Sequence, residues 1–295
     1  MTLTAERTKG KINSIAKRRN TDPRTLIRIY MMERFLERIS QSPYKNNFII
    51  KGGILITSMI GISMRSTMDI DTSLKNMTLD EEQLIEIINQ IKDIDLNDNI
   101  RFKIKKISNI MDTMEYPGIR ISLEAFLEQI VVPLKIDIST GDIITPQAIE
   151  YHYKLLTENR SISLLSYNLE TILAKKTQTI LARNVYNTRM RDFYDLYILL
   201  KIYYSQINQS TLKKAFLATC EHRSCVNLLD QANEIIDSLK QSTSLQKSWR
   251  LYQAKYSYAK NISFENVINS LAIIINMLGS FFFSTLNLSF LKLYS

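Results

Sequence analysis

Two aspartates separated by a single residue lie in a segment, MDIDTSL, whose apolar and polar side chains alternate. In a β-strand, residues i and i+2 project from the same face, so Asp69 and Asp71 would hold their carboxylates close together. Such a pair repels itself unless a cation lies between the two groups, and Mg²⁺ is a hard cation that prefers oxygen ligands. The spacing therefore predicts a metal-binding pair.

A third aspartate, Asp137, lies in the later segment LKIDIS between two isoleucines, so it points away from the apolar face of its own strand. If that strand neighbours the first, three carboxylates converge on one place. Three acids around one or two Mg²⁺ ions are typical of phosphoryl or nucleotidyl transfer, because the metals neutralise charge on a triphosphate and activate the attacking hydroxyl. Asp142 is a second candidate for the third ligand, and a solvated strand face is the alternative for each acid.

The tripeptide Lys51-Gly52-Gly53 supplies a complementary element, since it follows a β-branched run and precedes an apolar helical segment. Glycines at a strand-to-helix junction let the backbone approach a phosphate closely, and the helix N-terminus directs free N–H groups towards it. Alone the tripeptide is weak evidence. Followed 16 residues later by the D-x-D strand, it predicts a nucleotide-binding turn.

Hydrophobic periodicity outlines the elements that must position these residues. Two helices precede the glycines, the second one starting at Asp22-Pro23. Strands are predicted at 48–50, 68–74, 101–107, 118–123 and 131–138, with helices at 54–60 and 79–91. Past Pro146 the β-signals fade, and helices are predicted at 164–183, 192–204, 210–219, 225–239, 249–258 and 264–283. The expected fold is α+β, with a mixed sheet and helices in residues 1–150 and a helical lobe in residues 151–295.

The Gly-Gly helix start, the D-x-D strand and the third acidic strand position resemble the polymerase-β-type nucleotidyltransferase superfamily. A longer order of motifs, KGG, R-x-T-x-D-I-D, LKIDISTGDIITP, YNLETILAKKTQTILAR and RMRDFYDLYIL, resembles the AbiEii family of toxin–antitoxin and abortive-infection nucleotidyltransferases, which includes the MenT toxins. The resemblance covers most of the chain, and it implies a nucleotidyltransferase-like sheet lobe.

The resemblance also implies roles for individual residues. Lys176 aligns with a lysine that contacts the nucleotide phosphates, although Lys175 beside it leaves the choice between the two open. Asp192 aligns with a catalytic carboxylate, and Asp195 lies three residues further along the same helical face. The resemblance implies a catalytic role for Asp69 beside its expected metal role. The expected nucleotide-binding residues are Lys51, Gly52, Gly53, Arg65, Thr67 and Asp195.

The function implied is that of a toxin that transfers NMP from an NTP, either GTP or a pyrimidine NTP, to RNA with the help of Mg²⁺. The expected acceptor is the 3′ end of tRNA, and an AbiEi-like antitoxin is expected that need not contact the toxin. Two alternatives remain: an NTP-binding growth regulator without transferase activity, and a nucleic-acid-binding module in which the carboxylates are incidental.

Charge is unevenly distributed along the 295 residues, although the net charge of the whole chain is +9. Residues 1–50, 51–150 and 151–295 carry net charges of +7, −6 and +8. An acidic block between basic ones is consistent with a carboxylate metal centre surrounded by a surface for polyanions.

Two cysteines and the absence of an apolar N-terminal segment favour a cytoplasmic protein without a secretory signal. The segment C-x-H-x-x-C around His222 has too few ligands for structural zinc. The uncharged segment 266–291 contains several Asn and Ser residues, so we expect a helix packed on the protein and no membrane partner.

Overall fold

The computed structural model describes residues 4–77, 80–110 and 118–279. Within them, seven strands form a mixed sheet in the order β3-β4-β5-β2-β1-β7-β6. Their bounds are Phe48–Lys51, Ile70–Leu74, Ile100–Ile110, Gly118–Leu127, Ile130–Thr140, Ile149–Lys154 and Ser161–Ser166, for β1 to β7. The pairs β1–β7 and β2–β5 are parallel, and the remaining pairs are antiparallel.

Ten α-helices are found in the same described residues. Their bounds are Ala5–Arg19, Pro23–Gln41, Gly52–Ile60, Glu81–Lys92, Leu169–Arg183, Met190–Tyr203, Gln209–His222, Ala232–Gln241, Thr243–Lys255 and Phe264–Met277, for α1 to α10. Polar residues begin most of them: the Asp22 side chain accepts the Thr25 N–H at the start of α2, and Pro23 occupies the first turn. The α+β class expected from the sequence is confirmed.

The chain divides into two units, each with its own internal contacts. The first comprises residues 1–142 and 148–167 and contains the sheet with α1 to α4. The second comprises residues 143–147 and 168–295 and contains α5 to α10. The domain boundary at residue 150 stays a prediction, but β6 and β7 both belong to the first unit.

Several element boundaries differ from the sequence expectations. The strand expected from residue 68 begins at Ile70, and the helix expected from residue 164 begins at Leu169 because residues 161–166 form β7. The strand β6 was missed because IEYHYK carries mostly exposed polar side chains, as an edge strand does. The helix expected over residues 225–239 begins only at Ala232.

The predicted C-terminal helix ends at Met277, and residues 280–283 of that prediction lie outside the described residues. Helix α10 buries Val267, Ile268 and Leu271 and packs against α6 and α8. Among the described residues, every helix is too short or too polar to traverse a bilayer.

Candidate active site

The turn between β1 and α3 is built on two glycines where any larger residue would have to displace a neighbouring side chain. Gly52 has φ +58°, in the left-handed region that favours glycine, and a Cβ there would collide with the carboxylate of Asp71. A Cβ on Gly53 would collide with the hydroxyl of Thr67. The Gly53 N–H donates to Asp71 Oδ2 at 3.1 Å, so the glycines allow the backbone to lie directly against the D-x-D segment.

Arg65 and Thr67 hold the two sides of this turn together. The buried Arg65 guanidinium donates to the Gly53 carbonyl at 2.8 Å and to Thr57 Oγ1 at 3.3 Å. The buried Thr67 hydroxyl donates to the Asp69 carbonyl at 3.3 Å. These contacts position α3 against the start of β2, whereas the nucleotide contacts expected of both residues stay predictions.

The sheet brings the three aspartates to neighbouring positions. Asp71 lies on β2 between Lys51 of β1 and Asp137 of β5, each its register partner. Asp69 lies one residue before β2 begins. The strand adjacency on which a three-carboxylate cluster depends is therefore present.

Burial and neighbouring negative charge raise the pKa values of two carboxylates of this cluster, those of Asp69 and Asp71. Burial raises the pKa of Asp69 above its usual range, and the charge of Asp137 raises it further. Burial also raises the pKa of Asp71, as do the charges of Asp137 and Asp69, against the lowering effect of the Gly53 N–H. Neither Asp69 nor Asp71 forms an ion pair with a described residue. The cluster is thus a concentration of negative charge that a cation would stabilise.

Asp137, unlike the other two, already has a cationic partner. Arg120, its register partner on β4, donates from Nε to Oδ1 at 2.7 Å and from NH2 to Oδ2 at 2.6 Å. This bidentate pair fixes the carboxylate orientation. Each carboxylate oxygen has two lone pairs, so Asp137 can accept from Arg120 and still offer oxygen to a metal ion.

Lys51 is engaged with a different carboxylate. Its Nζ lies 2.5 Å from Asp142 Oδ2 and 2.5 Å from Ser139 Oγ, and Ser139 donates to the same Asp142 oxygen at 2.7 Å. The Lys51 ammonium also lies 5.9 Å from the centre of the Tyr167 ring. Of the two candidates for the third metal ligand, Asp142 is therefore the partner of Lys51, and Asp137 is the register partner of Asp71.

The carboxylate oxygens of Asp69 and Asp71 are chemically suited to a hard divalent ion, although the side chains do not surround a common point. Among the described residues, no three His, Cys, Asp or Glu side chains are placed to hold a metal as they stand. Asp69 and Asp71 nevertheless offer carboxylate oxygens with raised pKa values beside a helix N-terminus. Carboxylate oxygens are the ligands that Mg²⁺ prefers, so these residues fit the ion.

In the second unit, Lys176 of α5 forms a charged cluster with α6. Its Nζ lies 2.6 Å from Asp192 Oδ1 and 2.8 Å from Asp195 Oδ2. The Asp195 side chain is completely buried, and those of Lys176 and Asp192 are 15% exposed. Of the two neighbouring lysines, Lys176 is the one that meets both aspartates. The catalytic and nucleotide-binding roles expected of these three residues stay predictions.

Cys220, His222 and Cys225 lie where α7 ends. Cys220 is buried, and its burial, together with a smaller effect of the neighbouring Cys225, raises the pKa of its thiol to about 12. A thiol with so high a pKa is a poor nucleophile. Among the described residues, no group of three or more His, Cys, Asp or Glu side chains is placed to hold a metal ion.

Two ion pairs of the site, Arg120 with Asp137 and Lys51 with Asp142, do not follow from the sequence patterns. Arg120 lies in the segment GIRIS between two isoleucines, so the alternation places it on the face opposite its apolar neighbours. Only the register of β4 against β5 brings it to Asp137. Asp142 was weighed as a metal ligand, whereas the structure pairs it with Lys51.

Comparison with known proteins gave matches at the level of family and of solved structures. The sequence model of the family described as nucleotidyl transferase AbiEii toxin, type IV TA system, matches residues 34–270. A candidate nucleotidyltransferase of Helicobacter pylori aligns at 14% identity over 92% of this chain and 98% of its own, with a TM-score of 0.46. JHP933 of Helicobacter pylori aligns at 14% identity over 86% and 93%, with a TM-score of 0.47. No curated protein matches the chain.

Proposed function

Because the chain belongs to the AbiEii family of nucleotidyl transferase toxins of type IV toxin–antitoxin systems, we propose that it transfers NMP from an NTP to RNA with Mg²⁺. The observation that carries the proposal is the contact between the glycine turn and the D-x-D carboxylates. It sets a helix N-terminus, which attracts phosphate, beside a cluster of like charges that attracts a metal ion.

Asp69 and Asp71, together with Asp137, would hold the ion, which supplies neutralisation of the triphosphate charge when bound. The N–H groups at the start of α3 and the ammonium of Lys51 would bind phosphate oxygens. Lys51 would then exchange part of its contact with Asp142 for the triphosphate. Arg65 and Thr67 would keep the turn and the carboxylates in register.

The family pattern assigns Lys176 to the nucleotide phosphates and Asp192 to catalysis or positioning of the acceptor. The ion pair of Lys176 with the buried Asp195 supports a defined position for its ammonium. Asp69 would act in catalysis as well as in binding the metal.

As a toxin, the protein would arrest growth, or protect a population from phage, by modifying the 3′ end of tRNA in the cytoplasm. GTP or a pyrimidine NTP would be the donor. An AbiEi-like antitoxin would oppose it, without the need for direct contact.

The experiment is a transfer assay with each α-labelled NTP, Mg²⁺ and total tRNA. Wild type should label tRNA with one or two of the NTPs, and Asp69→Asn should not. Asp93→Asn, which removes an exposed carboxylate from the end of α4, is the matched control and should retain activity. NTP binding without labelling would instead favour a growth regulator that acts by occupancy. RNA binding that is independent of NTP and unchanged by Asp69→Asn would favour a nucleic-acid-binding module.

A further inference from the structure

Helix α1 and the hairpin between β6 and β7 enclose a groove of about 780 Å³ in the first unit. Helix α1 packs on α2 through Ile12, Ile15 and Ala16, which leaves its opposite face exposed. The helix lies outside residues 34–270, so it is not part of the segment that matches the family.

The lining of this groove is strongly basic. Five cationic side chains line it: Lys11, Arg18, Arg19, Lys154 and Arg160. All five are exposed. Of these, Lys11, Arg18, Arg19 and Lys154 form no ion pair with a described residue.

The single acidic residue of the lining, Glu158, is already neutralised. It contacts Arg34 at 2.8 Å and Arg160 at 2.6 Å. Arg160 is further held by Glu37 at 2.6 Å, so one wall of the groove is fixed by an ion-pair network that reaches the interior. The groove therefore offers uncompensated positive charge on a preorganised wall.

The position of the groove within the sheet gives its distance from the glycine turn. Lys154 pairs with Ser161 where the β6–β7 hairpin begins, and Ser166 at the other end of β7 pairs with Ile50, next to Lys51. The six residues from Ser161 to Ser166 are separated by five steps, which span roughly 16 Å at the usual rise of a strand. A molecule that contacts both the groove and the turn must therefore span at least roughly 16 Å.

We infer that this groove binds the phosphate backbone of the acceptor RNA, remote from the end that reacts, a role that rests on the proposed function. Unpaired lysines and arginines bind successive phosphates and release counterions, and this supplies affinity without reading the sequence. An anionic membrane is a poorer fit, because the groove is concave and none of the exposed large apolar side chains of the described residues lines it.

The test compares two variants that each lose three positive charges. The groove variant carries Lys11→Gln, Arg18→Gln and Lys154→Gln. The control variant carries Arg101→Gln, Lys103→Gln and Lys106→Gln on β3, the strand at the opposite edge of the sheet from β6. Unchanged circular dichroism and Tm establish that both variants fold, as expected because the exchanged groove residues are exposed.

Binding of unfractionated bacterial tRNA is measured first, by anisotropy over a range of salt concentrations and without NTP. The groove variant should raise the Kd by roughly 10- to 100-fold and lower the slope of log Kd against log salt by roughly 2 to 3. The control variant should bind like wild type. Equal binding by wild type and the groove variant, or no binding by wild type, would overturn the inference.

Transfer is measured next, with full-length tRNA and with a short oligonucleotide that presents only its 3′ end. The groove variant should raise KM for tRNA at unchanged kcat, and should label the oligonucleotide as wild type does. Equal loss on both acceptors would overturn the inference. If wild type transfers nothing, the proposed function fails while the binding measurement still decides the groove. Binding of phosphatidylserine vesicles in place of tRNA would also overturn it.

Discussion

The two charged clusters of this chain are built in opposite ways. In the first unit, Asp69, Asp71 and Asp137 bring like charges together, and burial followed by the charge of Asp137 raises the pKa values of Asp69 and Asp71. In the second unit, Lys176 lies between Asp192 and Asp195, so the cluster contains its own counterion. The first cluster leaves Asp69 and Asp71 without an ion pair to a described residue, whereas the second contains the cation that its two aspartates share.

The largest expected effect is on the self-compensated cluster. Lys176→Met leaves the completely buried Asp195 without its cation, and we expect the free energy of unfolding to fall by about 3–5 kcal/mol. Urea denaturation measures this. Lys214→Met, at an exposed position of α7, is the control, with an expected loss below about 1 kcal/mol. Equal losses in the two variants would contradict the role of Lys176 as the counterion of Asp195. Addition of Asp195→Asn to Lys176→Met should restore part of the stability, because it removes the buried charge.

In the cluster of Asp69, Asp71 and Asp137, we expect loss of one charge to keep or raise stability, whereas loss of Lys176 lowers it. The same change should reduce the rate of transfer. Asp71→Asn keeps an oxygen to accept the Gly53 N–H, but it removes one of the repelling charges. We expect the transfer rate to fall roughly 10²- to 10³-fold, while the Tm of the metal-free protein stays equal or rises. A lowered Tm with retained activity would mean that the carboxylate is structural.

The glycine turn allows a comparison within one residue type. Gly52→Ala should lower stability by about 1–3 kcal/mol, because it places a Cβ at positive φ against Asp71. Gly10→Ala, in the middle of α1 with nothing within 4 Å, should raise stability by about 0.5–1 kcal/mol. Thermal and urea denaturation of both variants measure the difference, and the same sign of change for both would contradict it.

The smallest effect is in the pH dependence. The pKa values of Asp69 and Asp71 are raised in the folded state above the usual value of 3.8. The folded protein then binds more protons than the unfolded chain from about that pH upward, so these groups make stability fall as pH rises through this window. In EDTA, Asp71→Asn should stabilise the protein more at pH 7 than at pH 4. An equal difference at both pH values would mean that folding does not raise the pKa of Asp71.

Local patterns in the sequence were sufficient to predict much of the first unit. Asp69 and Asp71 were recognised from a two-residue spacing, and Gly52 and Gly53 from a strand-to-helix junction. Each of these signals lies within a few residues of chain, where the backbone period fixes the direction of the side chains. The α+β class followed from the same periodicities.

What the sequence could not supply depends on register between distant segments. Arg120 reaches Asp137 only because β4 and β5 pair at those residues, and Lys51 reaches Asp142 across 91 residues of chain. Strand β6 carries too little apolar alternation to be recognised, so the groove that it helps to form with α1 was not anticipated. The contact of Lys176 with Asp192 likewise depends on the packing of α5 against α6.

The central claim is that Asp69 and Asp71 form a metal site, and a titration with Mn²⁺ as a reporter for Mg²⁺ tests it most directly. Water-proton relaxation monitors the binding of Mn²⁺, with a non-hydrolysable NTP present. The account predicts that wild type binds the ion, that Asp69→Asn combined with Asp71→Asn raises the Kd at least roughly tenfold, and that Asp93→Asn leaves it unchanged. Equal affinities for wild type and the double variant would contradict the claim that these two carboxylates form a metal site.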